Sequence, residues 1–279
     1  MVPISHGKPI RISPRVQRIT AGNSGPMTGP GTNTYLVGER EIAVVDPGPA
    51  EPAHIQGILD AAGDRLRWIL VTHTHPDHSP AAQALREATG ARLMGNTLQP
   101  DDGFQDMGFV TEHAFTHDER LATDEFTLRA IHTPGHVDNH FCYLVEEDGL
   151  LLTGDHIMQG STVVIIPPHG RMGAYIRSLR LLLDYPLKAL GPGHGTVIED
   201  PVAEINYLVQ HRLQREAKVV KVLSAVQRGN LEALTRQVYD DVDPGLHPIA
   251  RYSLLAHLIK LAEEGRAAAE DEDHWVWRS

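Results

Sequence analysis

The chain is expected to form an α/β layered domain followed by a smaller, almost wholly helical one, with the division between residues 200 and 201. Two observations carry this. Up to about residue 200, short apolar runs bounded by Gly, Pro or Asp alternate with segments of helical period. After Pro201 the texture becomes nearly all helix and ends on two short runs around the acidic turn Glu270-Asp271-Glu272-Asp273.

The elements follow in order. Residues 20–34 are rich in Gly, Pro and Asn and read as a loop. Strands are expected at 34–37, 42–45, 68–72, 92–94, 127–131, 141–145 and 150–153. Pro52 opens a helix carrying Ile55, Ile58 and Leu59 that stops at Gly63. Ser79-Pro80 offers an N-cap and an N1 proline for a helix over 81–89, ended by Gly90. Tyr175, Ile176, Leu179, Leu182 and Leu183 keep a 3.6 period until Asp184-Tyr185-Pro186. In the tail, helices are expected at 204–226, at 231–239 behind an Asn230 cap, and at 249–264 before Gly265. A hairpin of 266–269 with 274–277 closes the chain. Three helices and a hairpin match the winged-helix plan.

Composition excludes several classes. Of 279 residues, 41% are apolar and 22% charged, ordinary for a globular chain. A net charge of −11 opposes bulk attraction to nucleic acid or an anionic membrane. Residues 205–268 hold nine Lys and Arg against seven Asp and Glu, so the tail is only slightly basic. Cys142 is the single cysteine, which excludes an internal disulfide and suits a reducing compartment. It reads as a small buried hydrophobe in a strand. No apolar leader and no run approaching 18 apolar residues is present, so a cytoplasmic protein without membrane contact is expected, with a homodimer as the default assembly.

The 17 histidines, about 6% of the chain, are a surplus with a pattern. Thr72-His73-Thr74-His75-Pro76-Asp77-His78 follows a strand and precedes a helix. In extended backbone His73 and His75 point to one side, with Asp77 and His78 next where the chain turns. Three imidazoles and a carboxylate within six residues suit a borderline-soft divalent metal such as zinc, with iron and manganese as alternatives. His136 in His132-Thr133-Pro134-Gly135-His136, Asp155 in Thr153-Gly154-Asp155-His156, and His194 in Gly191-Pro192-Gly193-His194-Gly195 repeat one device, a polar ligand at a strand end beside glycine.

This order of motifs resembles the metallo-β-lactamase superfamily over roughly residues 15–200. The resemblance implies an αββα sandwich with two divalent metals at one edge. It assigns His73, His75 and His136 to one ion, Asp77, His78 and His194 to the other, and Asp155 to both. Asp46, in Val44-Val45-Asp46-Pro47-Gly48, matches a carboxylate that supports the ligand loop. Two such ions share a hydroxide that attacks an acyl or phosphoryl centre, and Asp77 is placed to orient that nucleophile and carry its proton.

Departures narrow the resemblance. The commonest di-zinc β-lactamases have cysteine where this chain has Asp155, which disfavours antibiotic hydrolysis. Glyoxalase II enzymes share the seven ligands but end in a helical domain with basic residues for glutathione. The chain is most similar to the lactamase-like family with a C-terminal winged helix, which includes a mitochondrial single-strand endoribonuclease of animals. Thr32-Asn33-Thr34-Tyr35-Leu36-Val37, Thr133-Pro134-Gly135-His136, Ala174-Tyr175-Ile176-Arg177-Ser178-Leu179 and His211-Arg212 carry that similarity, with Leu246-His247-Pro248 and Leu255-Ala256-His257-Leu258 in the tail. It implies Asn33 and Tyr175 as residues of the substrate cleft.

Hydrolysis of a small ester, such as a thioester, or of a phosphodiester is therefore expected, with cleavage of single-stranded RNA as the alternative. A nucleic-acid-binding regulator is a third reading. Duplex DNA is a poor partner, because the acidic hairpin turn repels phosphate, although Arg251, Ser253, His257 and Lys260 are expected to face outward on the third tail helix. Residues 96–120 have little periodicity and are expected to form a specificity lid, with His113 and His117 on its surface.

Overall fold

Alternating apolar runs and turn residues fold here into two stacked sheets. The computed structural model describes residues 4–98 and 103–278, so residues 99–102 of the expected lid lie outside the described residues. The chain divides into two compact units, one of Met1–Thr133, Asn139–Val163 and Tyr185–Glu204, the other of Pro134–Asp138, Val164–Asp184 and Ile205–Ser279. This differs from the cut expected at residue 200, because 134–138 and 164–184 pack with the tail.

In the first unit, β1 (Ile10–Arg11), β2 (Val16–Thr20), β3 (Asn33–Val37), β4 (Ile42–Val45), β5 (Leu66–Leu70) and β6 (Arg92–Met94) form a six-stranded sheet in that order. β1 to β4 pair antiparallel, whereas β4, β5 and β6 run parallel. The parallel crossovers carry α1 (Pro52–Ala62) and α2 (Ala81–Thr89). The second sheet has the order β11 (Ala189–Pro192), β10 (Leu150–Gly154), β9 (Phe141–Val145), β8 (Thr127–His132) and β7 (Glu119–Ala122), antiparallel except for β10 with β11.

Tyr35, Val37, Val45 and Leu70 from the first sheet pack with Leu128, Tyr143, Val145 and Leu152 from the second into one core. Leu36, Val44 and Ile69, on the other face of the first sheet, pack with Ile58 and Ala62 of α1 and Leu85 of α2. β3 and β4, covered on both faces, are buried at every residue, and β4 reads as a continuous apolar run.

Several elements escape the periodicity argument for physical reasons. β2 reads Val-Gln-Arg-Ile-Thr, and its Arg18, only 1% exposed, interrupts the apolar run. β7 is a half-exposed edge strand, and β11 contains the Gly and Pro of an apparent turn. Ser79 is not the cap of α2. Its hydroxyl donates to Asp106 Oδ2 at 2.7 Å, and the helix has no side-chain cap.

In the second unit, α3 (Met172–Leu182), α4 (Pro201–Val226) from Ile205 onward, α5 (Leu231–Val238) and α6 (His247–Glu263) accompany a small sheet of β12 (Arg228–Asn230), β14 (His274–Trp277) and β13 (Ala267–Ala269). Asn230 does cap α5, its Oδ1 accepting from the Ala233 amide at 2.7 Å. Leu223, Leu234, Leu254, Leu258 and Trp275 form this unit's core. Of the side chains expected to face outward on α6, only Arg251 does. His257 is fully buried and Lys260 is half-buried, with Glu216 of α4 lying 3.4 Å from His257 Nδ1 and 2.8 Å from Lys260 Nζ. Ser253 is 9% exposed. Among the described residues, no helix is long and apolar enough to cross a membrane.

Candidate metal centre

Parallel pairing brings the carboxyl ends of β4 and β5 side by side, so Asp46 meets the loop 72–78. The Asp46 amide donates to Leu70 O at 2.9 Å. Parallel β10 and β11 do the same for Asp155 and His194, with the Gly193 amide donating to Gly154 O at 2.8 Å. The two sheets are tied at this end, where Phe141 N donates to Thr72 O and Tyr35 Oη to Pro192 O at 2.8 and 2.7 Å.

His73, His75 and Asp155 each offer a ligand atom within 4.8 Å of the others, as do Asp77, His78 and His194. His73 Nε2 and His75 Nδ1 are 2.9 Å apart. His78 Nε2 stands 3.4 Å from Asp77 Oδ2 and 3.3 Å from Asp155 Oδ1, and His194 Nε2 stands 3.2 and 3.3 Å from the same two oxygens. Asp155 thus reaches both groups. His136 belongs to the second unit, where its Nδ1 donates to Val164 O at 2.8 Å and puts the neutral ring's lone pair on Nε2.

Nearby groups set which ring nitrogen carries the lone pair. Asp46, at φ 51, occupies a left-handed conformation uncommon outside glycine. There its Oδ1 accepts from the Thr72 amide at 2.7 Å, and its Oδ2 accepts from Thr72 Oγ1 at 2.8 Å and His78 Nδ1 at 2.9 Å. With Nδ1 donating, Nε2 of His78 is the acceptor. His194 Nδ1 faces Gly31 O at 3.3 Å, which turns its Nε2 inward likewise.

The site sets imidazoles directly against carboxylates. Burial alone opposes charge on His194 and His78, yet the carboxylates of Asp155 and Asp77 outweigh it, pushing His194 up to about 9 and His78 well above its usual range. Burial would likewise raise Asp77 and Asp155, but the same imidazoles hold both carboxyls well below the usual range. His73 is held well below its usual value by burial and by the neighbouring His78 and His75. The Nε2 atoms of His78 and His194 are buried and face carboxylate oxygens at 3.2–3.4 Å. Two nitrogen and two carboxylate donors converging in this way fit a divalent metal ion.

Asn33 and Tyr175, both expected in the cleft, lie inside the packing. Asn33 is fully buried. Its Nδ2 donates to Pro192 O and Gly195 O, both at 2.9 Å, and its Oδ1 accepts from Thr20, so it holds the loop that carries His194. Tyr175, also fully buried, packs against Gly135, where a Cβ would come within 2.4 Å of its Cα.

Two further residues shape the site. A Cβ at Gly193 would lie 2.8 Å from both Asp155 Oδ1 and His78 Cε1, so only glycine leaves those ligands in place. Asn139 Nδ2 donates to Thr74 Oγ1 and Asn96 O at 3.0 and 2.8 Å, bracing the back of the ligand loop. Gly193 beside a histidine is a signal, though a weak one. Asn139 offers none.

The chain is similar to known proteins along most of its length. The sequence model of the Metallo-beta-lactamase superfamily matches residues 27–194, and that of the Beta-lactamase associated winged helix domain matches 231–275. A Beta-lactamase-like protein 2 homolog of Drosophila melanogaster is 31% identical over 96% of each chain. An atrochrysone carboxyl ACP thioesterase of Aspergillus chevalieri is 32% identical over 93% of this chain and 85% of its own. A crystal structure of a metallo-beta-lactamase family protein from Thermus thermophilus superposes with a TM-score of 0.77 at 22% identity, covering 95% of this chain and 99% of its own.

Proposed function

Since the chain belongs to the metallo-β-lactamase superfamily, as a hydrolase with a C-terminal winged helix, we propose that it is a di-metal hydrolase of small acyl substrates, thioesters above all. One observation carries the reading: the inward Nε2 atoms of His78 and His194 face the carboxylates of Asp77 and Asp155, with His73 and His75 alongside. His73, His75 and His136 would hold one ion and Asp77, His78 and His194 the other, with Asp155 serving both. Zinc suits this donor set, with iron and manganese as alternatives. When bound, two divalent ions supply Lewis acidity and water of lowered pKa.

The chain's own groups do the rest. Asp46 and Thr72 orient His78, and Asn33 and Tyr35 hold the loop bearing His194. The Asp77 side chain is 26% exposed and reaches the site from the solvent side. Its carboxylate takes the proton of the attacking water as the water oxygen bonds to the acyl carbon. The C–S bond then breaks, and the proton passes to the departing thiolate.

Thioester substrates are supported by the 32% identity to an acyl-carrier-protein thioesterase. The net charge of −11 weighs against single-stranded RNA. A single, buried cysteine suits the cytoplasm.

The test uses protein loaded with zinc, assayed on thioesters and on labelled single-stranded RNA, with Asp155→Ala as control. Thioester hydrolysis lost in the variant is expected. RNA cleavage by the wild type alone, without thioester hydrolysis, would overturn the acyl reading.

A further inference from the structure

Thr32 is fully buried just before β3, and its hydroxyl faces Asp77 Oδ2 at 3.4 Å. We propose that Thr32 is a positioning residue for Asp77, whose hydroxyl fixes which carboxylate oxygen turns inward and which is left to take the proton of the attacking water. The inference rests on the di-metal acyl-hydrolase reading above and adds to it a residue outside the candidate ligands.

The direction of the hydroxyl follows from its neighbour. Asn23 grips Thr32 twice: its Oδ1 accepts from the Thr32 amide at 2.9 Å, and its Nδ2 donates to Thr32 Oγ1 at 3.0 Å. A backbone amide can only donate, so the Asn23 oxygen must be the atom that meets it, and the side-chain nitrogen is left to face the hydroxyl. Thr32 Oγ1 therefore receives one hydrogen from Asn23 and has its own to give. A carboxylate oxygen can only accept, so that hydrogen goes to Asp77 Oδ2.

The loop behind this contact has little play. Gly31, at φ 122, lies so close to Ala21 O that a Cβ there would come within 2.2 Å of it. The Ala21 amide donates to Thr32 O at 2.8 Å, the Gly31 amide to Thr28 O at 2.9 Å, and the Asn33 amide to Gly193 O at 2.8 Å. Thr32 also pairs with His194 in an isolated antiparallel bridge. The backbone that carries the hydroxyl is thus the one against which the His194 loop is registered, and two candidate ligands take their place from it.

Three groups converge on one oxygen. Asp77 Oδ2 has Thr32 Oγ1 at 3.4 Å, His78 Nε2 at 3.4 Å and His194 Nε2 at 3.2 Å. The Asp77 side chain is 26% exposed, so packing alone leaves the carboxylate room to turn. A hydrogen bond to the ionised group stabilises one orientation, and with Oδ2 held, Oδ1 is the oxygen that meets the water.

The experiment compares the full, zinc-loaded chain with Thr32→Val, which keeps the side-chain shape without the hydroxyl, and with Thr32→Ser, which keeps the hydroxyl. Circular dichroism checks that the fold persists, and should Thr32→Val not fold, Thr32→Ala takes its place. In Thr32→Val, kcat for a thioester is expected to fall at least about tenfold with KM within about twofold of the wild type, and zinc affinity, read by chelator competition, to fall about tenfold. Thr32→Ser is expected to recover most of both losses. Added to Asp77→Ala, Thr32→Val should cost no further zinc affinity, because the group it positions is gone. Wild-type kcat and affinity in Thr32→Val, no recovery in Thr32→Ser, or an equal loss of affinity on top of Asp77→Ala would each overturn the role while leaving thioester hydrolysis standing. Should the wild type cleave no thioester, the acyl reading falls and the affinity series alone decides for or against Thr32. A wild type that takes up no zinc would overturn both.

Discussion

Asp46 and His78, separated by 32 positions, are joined by a 2.9 Å hydrogen bond between two buried side chains, and the carboxylate that makes it also receives the amide and hydroxyl of Thr72. One acid thus sets both the start of the ligand loop and the ring orientation of its last histidine. Asp46→Asn keeps the volume but presents an amide where His78 Nδ1 needs an acceptor. Metal affinity, read by chelator competition, should fall about 10–100-fold while the far-UV spectrum is unchanged. Wild-type affinity in this variant would reject the role assigned to Asp46.

Gly193 tests the site sterically. A methyl there would press on Asp155 Oδ1 and His78 Cε1, each 2.8 Å away, displacing two candidate ligands together. Gly193→Ala should lower turnover on the order of 100-fold, as misplacements near 1 Å do, with Tm lowered by only a few degrees. A variant as active as the wild type would mean the ligands yield without cost.

Removing His75 separates metal binding from folding. The imidazole contributes nothing to the two cores of the first unit. His75→Ala should therefore bind less metal and lose thioester hydrolysis while keeping its far-UV spectrum. A collapse of that spectrum would show that the loop is part of the folding core.

His54 gives a pH signature. Burial, partly offset by the Pro47 carbonyl, pushes it from 6.5 down to about 4. The unfolded chain takes up this proton near 6.5 and the folded chain only near 4, so the stabilisation is complete above 6.5. It is lost as pH falls through that window, by about 3 kcal/mol in full. Tm should drop on acidification, and less steeply in His54→Gln. Burial also lowers His257, so the difference between wild type and variant is the quantity to measure. Parallel curves would exclude His54 as a source.

Cys142 should be inert. Burial pushes its thiol up to about 12, so the native protein should leave a disulfide reagent unreacted over hours, and one equivalent should react in denaturant. Rapid labelling of the native thiol would show that this strand pair opens.

Local chemistry made much of this protein legible from its residues alone. The run from Thr72 to His78, the glycine-flanked Asp155 and His194, the Asn230 cap and most strands announce themselves because each depends on neighbours a few positions away. Relationships across the chain lay beyond that reach. Asn33 and Tyr175 are polar and lie in motifs, but whether they face solvent depended on what packs over them, and both are buried. His257 and Lys260 lie on an outward period until Glu216, more than 40 positions earlier, covers them. The presence of candidate ligands is a property of the sequence. Their convergence is a property of the fold, because parallel strand pairing and backbone hydrogen bonds, not side-chain identity, decide which strand ends meet.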